Sequence, residues 1–144
     1  MSLIKPRRAL LIDLDNITYQ DGSRVSAACL RGRLEAVLAR TGPVDHVLAA
    51  GPPSTVARYL AELVELRVPV VTSTSRSRKA DTVLIERAEH LISTGYTEIV
   101  LASACGRFSV LCGRAGVSVT IVCVAADAVA RELRAGATEV LAVC

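Results

Sequence analysis

Short apolar runs alternate with segments of helical period along the whole chain, and this alternation constrains the fold more than any other feature. Apolar runs of strand length occupy 9–12, 44–50, 68–71, 97–102, 117–124 and 138–143. Between them, apolar residues recur at spacings of three and four, which predicts helices over 26–40, 54–66, 80–93, 107–114 and 127–134. We expect Ser54 and Asp127 to cap the helices that they begin, because both side chains accept hydrogen bonds from helix N–H groups.

Strands that alternate with helices of this length need crossover connections, which favour a mainly parallel sheet with helices on both faces. The near-continuous apolar character of the strand runs fits strands that are buried on both sides. A chain of 144 residues is long enough for one hydrophobic core and short for two. We therefore predict a single three-layer α/β domain over residues 1–144, with a mainly parallel sheet of five or six strands.

Composition excludes several classes of protein. Hydrophobic residues make up 51% of the chain, yet no apolar run approaches the ~20 residues that a membrane-spanning helix needs. The first residues lack the long apolar stretch of a signal peptide, so we expect a cytoplasmic protein with no membrane partner. The five cysteines form no Cys-x-x-Cys pair, which favours reduced thiols over a structural zinc site.

The placement of charge is more informative than the net charge of +3, which is too small to demand a nucleic-acid partner. Arg76, Arg78 and Lys79 form a basic cluster in a polar loop. Such a cluster is either a solvated surface or a contact for RNA phosphate. The chain has one phenylalanine, three tyrosines and no tryptophan, which is too few rings for a base-stacking platform.

Polar residues follow three of the predicted strands, at the edge where an open parallel sheet binds its ligands. They are, in chain order, Asp13, Asp15, Asn16, Asp81, Ser103, Cys105 and Arg107. Two carboxylates side by side repel each other, and a divalent cation relieves that repulsion. Asp13 and Asp15 therefore predict a cation site, with helix capping as the alternative. Asp81 alone fits either a ligand or an acid in the first turn of a helix.

At these residues the chain resembles the NYN domains of the PIN-like ribonuclease superfamily. Residues 11–17, Leu-Ile-Asp-Leu-Asp-Asn-Ile, are similar to the opening signature of that family, a strand that ends in Asp-x-(Asp or Glu)-Asn. Residues 79–84 resemble its second signature, a Lys followed by an Asp that opens a helix. Residues 97–108 resemble its third, a strand that leads into Ser-Gly-Asp-x-Asp-Phe. The resemblance implies a PIN-like fold and a site in which Asp13, Asp15 and Asp81 bind Mg²⁺ or Mn²⁺ and activate water against an RNA phosphodiester.

The third signature departs from the family pattern at the residues that matter most. Cys105 and Arg107 stand where the family has two aspartates, while Ser103 and Phe108 match. A thiolate is a soft ligand that suits Mg²⁺ poorly, and a guanidinium repels a cation by at least about 4 kcal/mol at 4 Å in a medium of dielectric ~20. We therefore expect metal binding and nuclease activity to be weakened or lost.

What the altered site would keep is affinity for RNA or nucleotide phosphate. Arg107 can bind phosphate directly, because a guanidinium matches phosphate geometry. We expect the substrate contacts at Asn16, Ser103, Arg107, Arg76, Arg78 and Lys79.

Two alternatives stay open. Residues 11–19 are also similar to the opening of the haloacid dehalogenase phosphatases, in which Asp13 would be the nucleophile and Asp15 the general acid/base. Asn16 then stands where that family has glycine, and no Lys follows Ser103. The second alternative is a non-catalytic module that binds a partner protein or forms a homodimer. The apolar composition favours it, because an exposed apolar patch is a common contact surface for partners.

Overall fold

A computed structural model describes residues 7–73, 79–124 and 128–143 of the chain. Its main sheet has six strands, all parallel, which confirms the predicted α/β class and the upper strand count. In chain order the strands are β1 (Arg8–Asp13), β4 (His46–Gly51), β5 (Val70–Thr72), β6 (Glu98–Ala102), β7 (Ser118–Cys123) and β8 (Glu139–Ala142). Two short strands, β2 (Tyr19–Gln20) and β3 (Ser23–Arg24), form a separate antiparallel hairpin.

Helices cover both faces of the sheet. They are α1 (Leu14–Ile17), α2 (Ala27–Thr41), α3 (Pro53–Glu65), α4 (Ala80–Ser93) and α5 (Arg131–Gly136), with a 3₁₀ helix at Gly106–Leu111. Successive residues of β1 enter opposite cores, because side chains alternate along a strand. Leu10 and Ile12 pack with α1, α2 and α3, whereas Ala9 and Leu11 pack with α4, α5 and the 3₁₀ helix. The predicted three layers are therefore present.

The strand order is β5-β4-β1-β6-β7-β8. From β1 the chain winds outward to β4 and β5, and α4 then carries it back over β4 and β1 to β6. The direction of winding therefore reverses between β1 and β6. Ligands of such sheets bind in the crevice beyond the carboxyl ends of the two strands at the reversal, which here end at Asp13 and Ala102.

The expected helix starts are confirmed for α2 and α4 and wrong for α3. Ser26 caps α2 as its position suggests, with its side chain accepting from Cys29 N–H. Helix α3, however, begins at Pro53 with Pro52 as its N-cap, not at a Ser54 cap. Proline replaces the polar cap there because its fixed φ suits the first helical turn, whose N–H groups have no helical partner.

The last two helical segments also differ from expectation. Helix α5 begins at Arg131, four residues later than expected, and Asp127 lies outside the described residues. The segment expected at 107–114 is a 3₁₀ helix that ends at Leu111.

Candidate active site

Asp13 lies at the carboxyl end of β1, where the sheet reverses its winding. Its side chain is buried, and its Oδ2 accepts a hydrogen bond of 3.1 Å from the hydroxyl of Ser103, which directly follows β6. Neighbouring parallel strands in register place these two residues at the same edge of the sheet. The structure thus places Asp13 and Ser103 together at the carboxyl ends of β1 and β6, where the sequence pattern predicted them.

The environment of Asp13 changes its acidity. Burial raises the pKa of this carboxyl from 3.8 to about 6, because an ionised group loses hydration. The Ser103 hydroxyl and the backbone N–H of Asn16 oppose this rise by donating to the carboxylate, and the negative charges of Asp15 and Asp81 add to it. Asp13 therefore changes its charge near pH 6.

A second hydrogen-bonded pair ties the segment after β1 to the segment after β6. The backbone N–H of Ala104 donates to Asn16 Oδ1 at 3.1 Å, and the N–H of Cys105 donates to Ser103 Oγ at 3.1 Å. Asn16 thus positions the loop that carries Ser103. The amide oxygen of Asn16 accepts this hydrogen bond, whereas the residue as a whole is exposed.

Asp81 sits in the first turn of α4 and faces the same loop. Its Oδ1 accepts from the N–H of Thr82 at 2.7 Å and from Arg107 Nη1 at 2.8 Å. Its Oδ2 lies 3.7 Å from the Sγ of Cys105. The carboxylate is nearly buried, with 11% of its side chain exposed, whereas 53% of the Arg107 side chain is exposed. Arg107 and Cys105, which replace the two aspartates of the NYN pattern, therefore both contact the acid of the second signature.

The thiol of Cys105 does not have the lowered pKa that its place before a helix would favour. Burial is the main cause that raises its pKa, and the charges of Asp81 and Asp13 raise it further. The N–H of Arg107 opposes this rise. The environment therefore keeps Cys105 as a protonated thiol at neutral pH.

Asp15 lies apart from this cluster of contacts. It is in α1, with 45% of its side chain exposed, and its Oδ1 accepts from the Thr55 hydroxyl at 3.0 Å and lies 3.7 Å from Arg24 Nη2. Neither partner was a predicted site residue. Thr55 follows β4 closely, so the rule that ligand groups follow strands would have found it had it been applied to the second strand of the sheet. Arg24 lies in the hairpin, for which Asp21-Gly22 is the turn signal.

These residues fit a Mg²⁺ or Mn²⁺ site poorly. Within the described ranges, no three His, Cys, Asp or Glu side chains lie close enough together to hold a metal ion. Asp13, Asp15 and Asp81 instead interact with Ser103, Thr55 and Arg107 respectively. The guanidinium beside Asp81 supplies the positive charge that this acid would otherwise take from a cation.

Of the basic cluster at 76–79, Lys79 is the residue that lies within the described ranges. It is exposed and is the N-cap residue of α4, two residues before Asp81. Arg76 and Arg78 lie outside the described residues. Lys79 and Arg107 therefore flank Asp81, one from the start of α4 and one from the 3₁₀ helix.

Comparison with known proteins shows a shared fold. No protein-family model matches the chain, and no curated protein matches it in sequence. A crystal structure of a protein of unknown function from Vibrio parahaemolyticus matches with a TM-score of 0.72 and 19% identity, over 100% of this chain and 96% of that chain. In the described part of the chain, no helix is long and apolar enough to cross a membrane. The chain is thus similar in fold, along its whole length, to a solved protein of unknown function.

Proposed function

We propose that this chain is a PIN-like (NYN) domain that binds RNA or nucleotide phosphate, with metal-dependent cleavage weakened or lost. The observation that carries the proposal is the ion pair between Arg107 and Asp81 at 2.8 Å. It places a fixed cation against the acid that the NYN resemblance assigns to a metal. A guanidinium at this position supports phosphate binding and disfavours a divalent ion.

Phosphate binding rests on the exposed cations of this edge. A guanidinium carries five N–H donors, and hydrogen bonding to Asp81 uses one of those of Arg107. The remaining donors are accessible, because half of the side chain is exposed. Lys79 adds a second exposed charge at the start of α4, where helix N–H groups also favour an anion.

Loss of cleavage is supported by the different protein partners of Asp13, Asp15 and Asp81. Metal-assisted hydrolysis needs several anionic ligands that converge on one cation. Asp81 is neutralised by Arg107, and Asp15 is half-exposed beside Arg24. Asp13 has a pKa of about 6, so it is ionised at neutral pH, but the two other acids do not converge on it as a set of ligands within the described ranges. Mg²⁺ or Mn²⁺ would therefore bind weakly, if at all.

The experiment is one set of measurements on a labelled single-stranded RNA with the wild type, Arg107→Ala and Asp13→Asn. Fluorescence anisotropy in EDTA measures binding, and gel electrophoresis after incubation with Mg²⁺ or Mn²⁺ measures cleavage. Arg40→Ala is the matched control, because Arg40 is an exposed cation in the last turn of α2. Helix α2 returns the chain to the start of the next strand, so Arg40 lies at the opposite edge of the sheet.

We expect the wild type to bind RNA without cleaving it. Arg107→Ala should weaken binding on the order of tenfold, as a lost charge-assisted hydrogen bond does, while Arg40→Ala should change it far less. Metal-dependent cleavage by the wild type that disappears in Asp13→Asn would show a working nuclease and contradict the loss of activity. Absence of binding by the folded wild type would contradict the whole proposal.

A second candidate function, homodimerisation, is supported by an apolar face of α3. Leu60 and Val64 are 46% and 65% exposed and lie four residues apart, so both side chains are on one side of the helix. Two copies of the chain that meet at this face would bury all four side chains, which removes apolar surface from water.

A further inference from the structure

A cleft of about 930 Å³ lies beside the candidate site, on the other face of the sheet from α4. It opens between the β2–β3 hairpin, helix α2 and the carboxyl ends of β7 and β8. Its lining includes Asn16, Tyr19, Gln20, Gly32, Ala104 and Cys123. A volume of this size is in the range of pockets that hold small molecules or cofactors.

Two residues belong both to the cleft and to the candidate site. Asn16 and Ala104 line the cleft, and their hydrogen bond of 3.1 Å joins the segments that follow β1 and β6. Ala104 is the next residue after Ser103, whose hydroxyl contacts Asp13. The cleft and the edge with Asp81 and Arg107 therefore adjoin at the segment 103–105, which Asn16 holds in place.

The cleft has polar groups at its rim but little charge to offer. Arg33 Nη1 donates to the carbonyl oxygens of Ile17 at 2.8 Å and Tyr19 at 3.2 Å, and Nη2 donates to Gln20 Oε1 at 2.7 Å. These bonds hold the hairpin against α2. They also occupy the donors of the guanidinium, which are then less available to a ligand. Gln20 and Asn16 are both held through their amide oxygens. Each therefore presents an NH₂ group that can donate to an uncharged acceptor.

The walls of the cleft suit a flat ring. Gly32, Ala36 and Ala104 are small, so they leave space between α2 and the end of β6. Tyr19 is 44% exposed, and the Arg24 guanidinium lies over one face of its ring, 4.7 Å from the centroid. An exposed tyrosine ring offers a stacking surface, and one base needs only one such ring, unlike a platform for a run of bases.

We propose that this cleft binds the nucleobase of an RNA nucleotide whose phosphate lies at the edge with Asp81 and Arg107. The inference rests on the proposed function, because it assigns the base to the cleft once the phosphate is at the edge. An uncharged ring fits better than an anion, because Arg33 is committed and the other charged residue in the lining is the acid Asp21. The amides of Asn16 and Gln20 then hydrogen-bond the edge of the base while Tyr19 stacks on its face.

The test compares a short single-stranded RNA with an abasic oligonucleotide that has the same sugar-phosphate backbone. Both are measured by fluorescence anisotropy against the wild type and Gly32→Leu. A side chain at Gly32 enters open space, since a Cβ there meets no atom within 4 Å, and leucine is a good helix former. Ala28→Leu is the control, because Ala28 is exposed on the same helix and does not line the cleft.

We expect the wild type to bind the RNA on the order of tenfold more tightly than the abasic strand, as base stacking allows. Gly32→Leu should remove most of that difference, and Ala28→Leu should preserve it. Equal binding of the two strands by the wild type would overturn the cleft assignment and leave the phosphate site standing. A preference for the RNA that Gly32→Leu does not change would place the base elsewhere. Failure to bind either strand would overturn both proposals.

Discussion

The Ser103 hydroxyl donates a hydrogen bond of 3.1 Å to Asp13 Oδ2, across the point where the sheet reverses its winding. Both side chains are buried, with 1% and 7% of their surface exposed. The pair therefore lies at the bottom of the crevice between β1 and β6. Burial raises the pKa of Asp13 to about 6, although the Ser103 hydrogen bond opposes the rise, so stability should depend on pH around that value.

The first prediction concerns stability against pH. Because the pKa of Asp13 is higher in the folded state than the ordinary 3.8, the folded state holds the proton more tightly. The stability that this proton contributes is fully present below pH 3.8 and is lost as the pH rises through about 6. The difference between the two pKa values corresponds to about 3 kcal/mol. We expect the free energy of unfolding, measured with urea, to fall between pH 4 and pH 8.

Asp13→Asn isolates this effect, because an amide does not ionise. The variant should lose most of the decrease in stability between pH 4 and pH 8. Asp21→Asn is the control, since Asp21 is exposed in the hairpin turn, and it should keep the wild-type dependence. An unchanged pH dependence in Asp13→Asn would mean that another group is responsible.

The second prediction concerns restoration of the acidic motif. Replacing Cys105 and Arg107 together by aspartate removes the cation from Asp81 and adds two hard ligands next to it. We expect the double variant to be stabilised by millimolar Mg²⁺ or Mn²⁺, since a ligand that binds only the folded state raises its stability. Thermal unfolding with and without the metal measures this directly. The wild type should show a much smaller shift, and a shift as large in the wild type would contradict our account of Arg107.

The sequence placed the candidate residues at one edge of the sheet because that prediction needs only the positions at which strands end. Asp13, Ser103 and Asp81 follow buried apolar runs or begin a periodic helix, and such patterns are visible in one dimension. The pairing of these groups is not visible there. Asp81 could be recognised as an acid at the start of α4, but its bond to Arg107 depends on how the 3₁₀ helix packs against α4.

Three local features were not predicted from the sequence: the start of α3, the β2–β3 hairpin and the cleft beside it. A proline-initiated helix such as α3 lacks the polar cap on which helix starts are usually recognised. The β2–β3 hairpin is too short to show an alternating pattern, although Asp21 and Gly22 have the positive φ angles of a tight hairpin turn. The cleft between this hairpin and α2 could not be predicted, because it depends on the bonds of Arg33 to three acceptors.

The third prediction contrasts two glycines. Gly32 lies within α2 and has open space around it, so Gly32→Ala should raise the free energy of unfolding by about 0.5–1 kcal/mol through the greater helix propensity of alanine. At Gly136 in α5, an added Cβ would lie 2.8 Å from the Cβ of Cys112. Gly136→Ala should therefore lower the free energy of unfolding by about 1–3 kcal/mol. Denaturation in urea measures both, and a stabilised Gly136→Ala would contradict the packing of α5 against the 3₁₀ helix.

The fourth prediction tests the apolar face that Leu60 and Val64 form on α3. Leu60→Gln and Val64→Gln each replace an exposed apolar side chain by a polar one, so each should weaken self-association by reducing the apolar surface that two copies bury. Sedimentation equilibrium over a range of protein concentrations measures the dimer fraction of the wild type and both variants. Arg40→Gln is the control, because Arg40 is exposed on α2, and it should keep the wild-type dimer fraction. A wild type that stays monomeric at high micromolar concentration would contradict the dimer.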